Sequence, residues 1–80
     1  MAKLLLFASA REAAGVGRAD IKGDTVEGVI ENAKMMFGDR FTEVLGSCKV
    51  WLNGEEVPHS TPVTDKDEVA VLPPVSGGAQ

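Results

Sequence analysis

Two apolar segments of strand length stand at opposite ends of an 80-residue chain, with one amphipathic helical stretch between them. The first, Lys3 to Ala8, holds Leu4, Leu5, Leu6 and Phe7 in an unbroken run, and the last, Glu68 to Leu72, is stopped by Pro73-Pro74. Runs this apolar and this short suit central strands covered on both faces, or nearly so. Strands from the two ends of one small chain are then expected to pair with each other, in parallel, at the centre of a single sheet. Eighty residues make one domain with a thin core, since a chain this short buries only roughly 60% of the surface it exposes when unfolded.

The intervening segments fill in the rest. Ala10 to Gly17 reads as a loop of small residues, and Arg18 to Lys22 as the second strand of a hairpin. Asp24-Thr25-Val26-Glu27 is a helix start, an oxygen-bearing cap followed three positions later by a glutamate. Val26, Val29, Ile30, Ala33 and Phe37 (or Met36) then form one apolar helical face, which Gly38 ends as a left-handed cap. Asp39 to Gly46 is a short helical turn with Phe41, Val44 and Leu45 as its apolar contacts. Lys49 to Leu52 is a strand, Asn53-Gly54 a two-residue hairpin turn, and Glu55 to Val57 the return strand before Pro58. Thr64 to Asp67 is a turn into the last strand. The order β-β-α-(short helix)-β-β-β, with one main helix against a mixed sheet of about five strands, is that of the α+β β-grasp, or ubiquitin-like, fold. The domain is expected to span residues 1–74, with residues 75–80 as a flexible tail.

Composition removes several classes of function. The formal charge of −4 comes from eight basic and twelve acidic residues, and the basic ones are scattered singly. Phosphate backbones require clustered Lys and Arg, so no nucleic-acid partner is expected. No segment approaches the ~20 apolar residues of a membrane span, and the Leu4–Phe7 run is too short for a secretory core. The chain reads as mature, cytoplasmic and free of membrane. One cysteine, Cys48, permits no internal disulfide, and with one histidine it supplies no ordinary zinc ligand set.

The candidates for self-contained catalysis are weak. Cys48 has only His59 as a prospective base, with no oxyanion loop, and reads as a partly buried structural thiol. His59 lies in the loop Val57-Pro58-His59-Ser60. Glu55-Glu56 and Asp65, Asp67 and Glu68 flank turns, where solvated charge is the expectation. Gly15-Val16-Gly17 precedes a strand rather than a helix, so it lacks the helix N-terminus that a phosphate-binding glycine loop needs. The tail is different. Leu72-Pro73-Pro74-Val75-Ser76-Gly77-Gly78 leaves a strand, is stiffened by two prolines and then sheds its side chains. From Val75 to Gly78 it reaches ~13 Å in extended form, enough to carry a terminal carboxyl into a partner's narrow channel.

With these residues in place the chain resembles the MoaD/ThiS family of ubiquitin-like sulfur carriers, in its molybdopterin-type branch. The resemblance rests on Leu6-Phe7-Ala8-Ser9-Ala10-Arg11-Glu12-Ala13-Ala14-Gly15, Asp24-Thr25-Val26-Glu27, Val50-Trp51-Leu52-Asn53-Gly54 and Asp67 through Gly78. It implies a carrier with no catalytic centre of its own and no permanently bound cofactor. An E1-like enzyme would use ATP to adenylate the last glycine, Gly78, beside Gly77, and a persulfide donor would convert it to a thiocarboxylate. The tail would then enter the large subunit of molybdopterin synthase and deliver sulfur for the dithiolene of the molybdenum cofactor. Carriers for cysteine, thiamine or tRNA thiolation, and a ubiquitin-like binding or modifier module without sulfur chemistry, are the alternative readings.

Two further expectations bear on the partners. Period-two alternation separates Leu5 and Phe7 from Leu4 and Leu6, Trp51 from Val50 and Leu52, and Ala70 and Leu72 from Val69 and Val71. One helix covers one face, so Phe7, Trp51 and Leu72 are expected on the open face. There they would form a docking patch continuous with Pro73, Pro74, Val75 and Ser76. The family's chains end at the second glycine, whereas this one continues with Ala79-Gln80, which ties the Gly78 carbonyl into a peptide bond. A protease cutting between Gly78 and Ala79 is the expected remedy. An origin of the two residues in cloning or gene annotation, or a turn from sulfur transfer to binding, stand beside it.

Overall fold

The computed structural model describes residues 1–73. Along the chain run β1 (Ala2–Leu6), α1 (Ala8–Ala14), β2 (Arg18–Ile21), α2 (Val26–Phe37), α3 (Asp39–Leu45), β3 (Lys49–Leu52), β4 (Glu55–Glu56) and β5 (Glu68–Leu72). The five strands form one mixed sheet in the order β2-β1-β5-β3-β4. β1 and β5 pair in parallel at its centre, Leu4 beside Val69 and Leu6 beside Val71, and the other three pairings are antiparallel. This is the ubiquitin-like β-grasp, and the helices pack on one face.

Strand alternation decides what that face buries. Leu4, Leu6, Val69, Val71, Val50 and Leu52 all point beneath the helices and are buried. They meet Val26, Val29, Ile30 and Ala33 of α2 and Phe41 and Leu45 of α3. Phe37 packs edge-on against Phe41, ring centroids 5.2 Å apart, so the apolar stripe of α2 ends on Phe37 while Met36 is 61% exposed.

Several expectations are corrected. The segment read as a loop from Ala10 contains α1, a third helix. Alanine, arginine and glutamate are strong helix formers, and Gly15 closes the turn at φ 83° with its N–H on the Arg11 carbonyl, 2.9 Å. Small side chains read as loop chemistry are here the means by which a helix lies close, with Ala10 fully buried. The first strand accordingly ends at Leu6. Thr25, not Asp24, caps α2: its hydroxyl accepts from Gly28 N at 3.0 Å. Gly38 has positive φ (91°), but its ψ of −168° sends the chain into α3 rather than through a left-handed cap. The return strand stops at Glu56. Asn53 and Gly54, at φ 51° and 86°, make the hairpin turn that their sequence demands.

Candidate functional site

The face of the sheet away from the helices is built in rows. Leu5, Ala70 and Trp51 lie side by side across the central strands, bounded by Arg18 on β2 and Glu56 on β4. One row towards the C-terminal end of β5, Leu72 sits beside Lys49, whose ammonium lies 3.7 Å from the Glu56 carboxylate. One row the other way, Lys3 stands between Asp20 and Glu68. The middle of the face is therefore apolar and its margins are charged.

Phe7 is 44% exposed and continues β1 in extended conformation, at φ −127° and ψ 150°. Trp51, Leu72 and Pro73 are partly exposed. Phe7, Trp51 and Leu72 are thus not sealed under the helices. The indole Nε1–H of Trp51 is shielded from solvent without an acceptor among the described residues. β5, held on both sides by β1 and β3, delivers Leu72 and Pro73 to the edge of this patch. Pro74, Val75, Ser76, Gly77, Gly78 and Ala79 lie outside the described residues.

Ala8, immediately after Phe7, takes φ 49°, a left-handed conformation costly for a residue with a Cβ. Its turn swings the chain from the sheet into α1 and leaves Phe7 at the strand's end. Nothing in the local sequence pattern marks that strain.

On the helical side, a cleft of about 370 Å³ opens between α2, α3 and β3, with Cys48 and His59 both in its lining. The arrangement does not make a nucleophile of the cysteine. Its thiol donates to the Val44 carbonyl at 3.2 Å, and burial pushes the thiol pKa up, away from the reactive thiolate. The His59 main-chain carbonyl accepts from Glu27 N at 2.8 Å, fixing the loop to the start of α2. Among the described residues no group of three or more His, Cys, Asp or Glu side chains is placed to hold a metal ion.

The turn carboxylates are more organised than solvated charge. Asp67 accepts from Asn53 Nδ2 at 2.9 Å and from Thr64 N at 2.7 Å, while Asn53 Oδ1 receives Glu68 N at 2.9 Å. The Asn53 amide first, and then the Thr64 N–H, hold the Asp67 carboxyl below its ordinary pKa. The clamp ties the β3–β4 turn to the first residue of β5, at the opposite end of that strand from Pro73. Asn53 was legible as a turn residue, but its partner fourteen positions on was not. Glu55 and Glu56 are exposed on β4, Glu56 facing Lys49.

Comparison with known proteins agrees with this architecture. The chain is 39% identical to the molybdopterin synthase sulfur carrier subunit of Arabidopsis thaliana, over 95% of this chain and 81% of that one. Among solved structures, small archaeal modifier protein 1 of Methanosarcina acetivorans superposes with a TM-score of 0.86 at 29% identity, covering 96% of this chain and 95% of the other. A subunit of the Helicobacter pylori 26695 molybdopterin-converting factor, solved as a complex of subunits 1 and 2, matches with a TM-score of 0.71 at 26% identity, covering 96% and 97%. The model of the ThiS family matches residues 4–78, from the first strand to the second glycine of the tail. The chain belongs to the ThiS family.

Proposed function

We propose that this chain is the sulfur carrier of molybdenum-cofactor biosynthesis. Gly78 would be the reacting residue, freed by removal of Ala79-Gln80. The observation that carries the reading is the pairing of a central strand, β5, running into Pro73 with an apolar open face alongside it. Its counterpart in the comparisons is a family match that stops at Gly78 and a relative named as a sulfur carrier subunit.

The chemistry follows from electrophilicity. A glycine carboxylate resists attack, so an E1-like enzyme joins it to the α-phosphate of ATP, releasing pyrophosphate and leaving a mixed anhydride. A persulfide sulfur attacks the acyl carbon and AMP leaves. The new bond is C–S; a thiol reductant then cleaves the S–S bond that came with the persulfide, leaving as a disulfide with the donor, and the outer sulfur stays on the carrier as a thiocarboxylate. The chain's own part is to present the acyl group without side chains at Gly77 and Gly78, while Phe7, Trp51 and Leu72 dock on the partner. In the synthase that partner is the large subunit. No cofactor need stay bound.

The test is an ATP-dependent thiocarboxylation assay on the chain ending at Gly78, with its cognate E1-like enzyme and a persulfide donor, read by intact mass. Exchange of one oxygen for sulfur is expected, with none on the 80-residue form until Ala79-Gln80 are cut away. Failure to form even the adenylate would overturn the carrier reading. A second reading, a protein modifier, is favoured by the TM-score of 0.86 to small archaeal modifier protein 1. It uses the same activated Gly78 with a lysine amine as acceptor, and conjugates of higher mass in cells would distinguish it.

A further inference from the structure

Among the described residues β2 is an edge strand, four residues long and without a proline, that pairs only with β1. Its hydrogen-bond parity can be read directly. Leu6 N donates to Gly17 O at 2.9 Å, and these residues stand opposite one another in the β1–β2 register. In an antiparallel ladder such pairs alternate, so Ala19 and Ile21 spend their main-chain groups on β1. Arg18 and Asp20 turn their N–H and C=O outward. Their side chains lie together on the open face of the sheet, both exposed, and neither forms an ion pair among the described residues.

We infer that this edge pairs antiparallel with the same edge of a second copy, centred on Ala19. Three registers compete, and charge and parity select one. Centred on Ala19, Arg18 of each copy stands opposite Asp20 of the other, opposite charges face each other twice, and the outward main-chain groups of both residues are used. Centred on Arg18, the two arginines face each other. Centred on Asp20, the two aspartates do, and Arg18 meets Lys22, whose carbonyl is already taken by Asn32 Nδ2 at 2.6 Å.

A second observation bears on the same edge. The Asn32 side chain reaches the Lys22 carbonyl just past the end of β2, so this flank of α2 lies towards that edge, and Met35 and Met36 follow at i+3 and i+4. They are 84% and 61% exposed, apolar surface that the monomer leaves uncovered. A two-fold axis normal to the sheet places the helices of both copies on the same face of the joined sheet, one to each side of the seam. The two β5 strands then run oppositely, so the two Pro73 residues stand at opposite ends of a continuous sheet. The pairing does not depend on the sulfur chemistry.

A four-residue edge makes a small interface, so association is weak, at micromolar to millimolar concentration. Sedimentation velocity on the full chain, up to about 1 mM, tests it. Arg18→Glu places glutamate opposite Asp20, and Asp20→Arg places arginine opposite Arg18. Each is expected to weaken association roughly tenfold or more, because both copies of the pair become repulsive. The double exchange Arg18→Asp with Asp20→Arg restores it to near the wild-type value. Thermal midpoints of all three confirm folding, since both side chains are exposed. A monomer at every concentration overturns the inference. So does a dimer indifferent to all three variants, which would use another surface.

Discussion

Gly23→Ala is expected to destabilise the protein although glycine-to-alanine changes in ordinary loops are often benign. A Cβ at Gly23 would stand 2.5 Å from the main-chain nitrogen of Val29, 2.8 Å from its Cγ2 and 2.9 Å from the carbonyl carbon of Gly28. These are atoms of α2 that cannot rotate aside. Val29 is fully buried and its N–H is bonded to Thr25 O at 3.0 Å. Relief therefore requires moving the first turn of α2 or the connection that leads into it. Overpacking of this kind costs about 1–3 kcal/mol. The restricted unfolded chain returns about 0.4–1 kcal/mol. The net loss is about 1–2 kcal/mol, a lowering of Tm by roughly 5–15 °C at the ~4–8 °C per kcal/mol of a domain this size. Gly28→Ala supplies the control. Its Cβ would meet Thr25 Oγ1 at 3.4 Å and Gly23 Cα at 3.6 Å, ordinary contacts, and it removes a glycine from the first turn of α2. That change is expected to stabilise by up to about 1 kcal/mol. Urea unfolding followed by far-UV circular dichroism and Trp51 fluorescence measures both, and a shifted midpoint at constant slope is the reading sought. A Gly23→Ala protein as stable as wild type would refute the reasoning, as would a Gly28→Ala protein less stable than Gly23→Ala.

Three other outcomes follow from particular residues. Ala8→Gly relieves a left-handed backbone worth about 1–2 kcal/mol against a glycine entropy cost of about 0.5–1 kcal/mol; a Tm higher by a few degrees is expected, and an unchanged or lower one argues against strain there. Asp67 has a folded pKa below its ordinary 3.8, so its contribution is complete above that value and is lost as pH falls through the lower, folded pKa. The Tm difference between wild type and Asp67→Asn should therefore shrink as pH drops below 3.8, and parallel curves would remove the clamp from the account. Leu72→Asp, on a partly exposed face, should change Tm little; on the proposed carrier function it should also weaken binding to a synthase large subunit by tenfold or more in calorimetry, about 1.4 kcal/mol, and equal affinity would argue against Leu72 as a docking residue.

Most of the architecture was legible because it is encoded locally. Val26, Val29, Ile30 and Ala33 carry the helical period, Asn53-Gly54 can close a hairpin wherever it stands, and two prolines end β5 in any context. The helix at Ala8–Ala14 escaped because its alanines lack an apolar stripe. Its helix formers and Gly15 cap are local signals, but the same Ala, Ser and Gly residues are equally loop chemistry, and only the burial of Ala10 separates the two. The candidate docking face was legible through period-two alternation at Phe7, Trp51 and Leu72. The Asn53–Asp67 clamp was not, since a hydrogen bond across fourteen residues leaves no periodicity.

The sequence by itself determined the order of elements, the apolar strands destined for the sheet centre, and the Gly77-Gly78 pair that follows them. Tertiary structure alone decided that Gly23 admits no Cβ while Gly28 does, and that Arg18 and Asp20 turn their main-chain groups outward. The physical reason is the same in each case. Propensity, period and turn chemistry act between neighbours along the chain. Close approach and hydrogen-bond parity exist only between segments that folding has brought together.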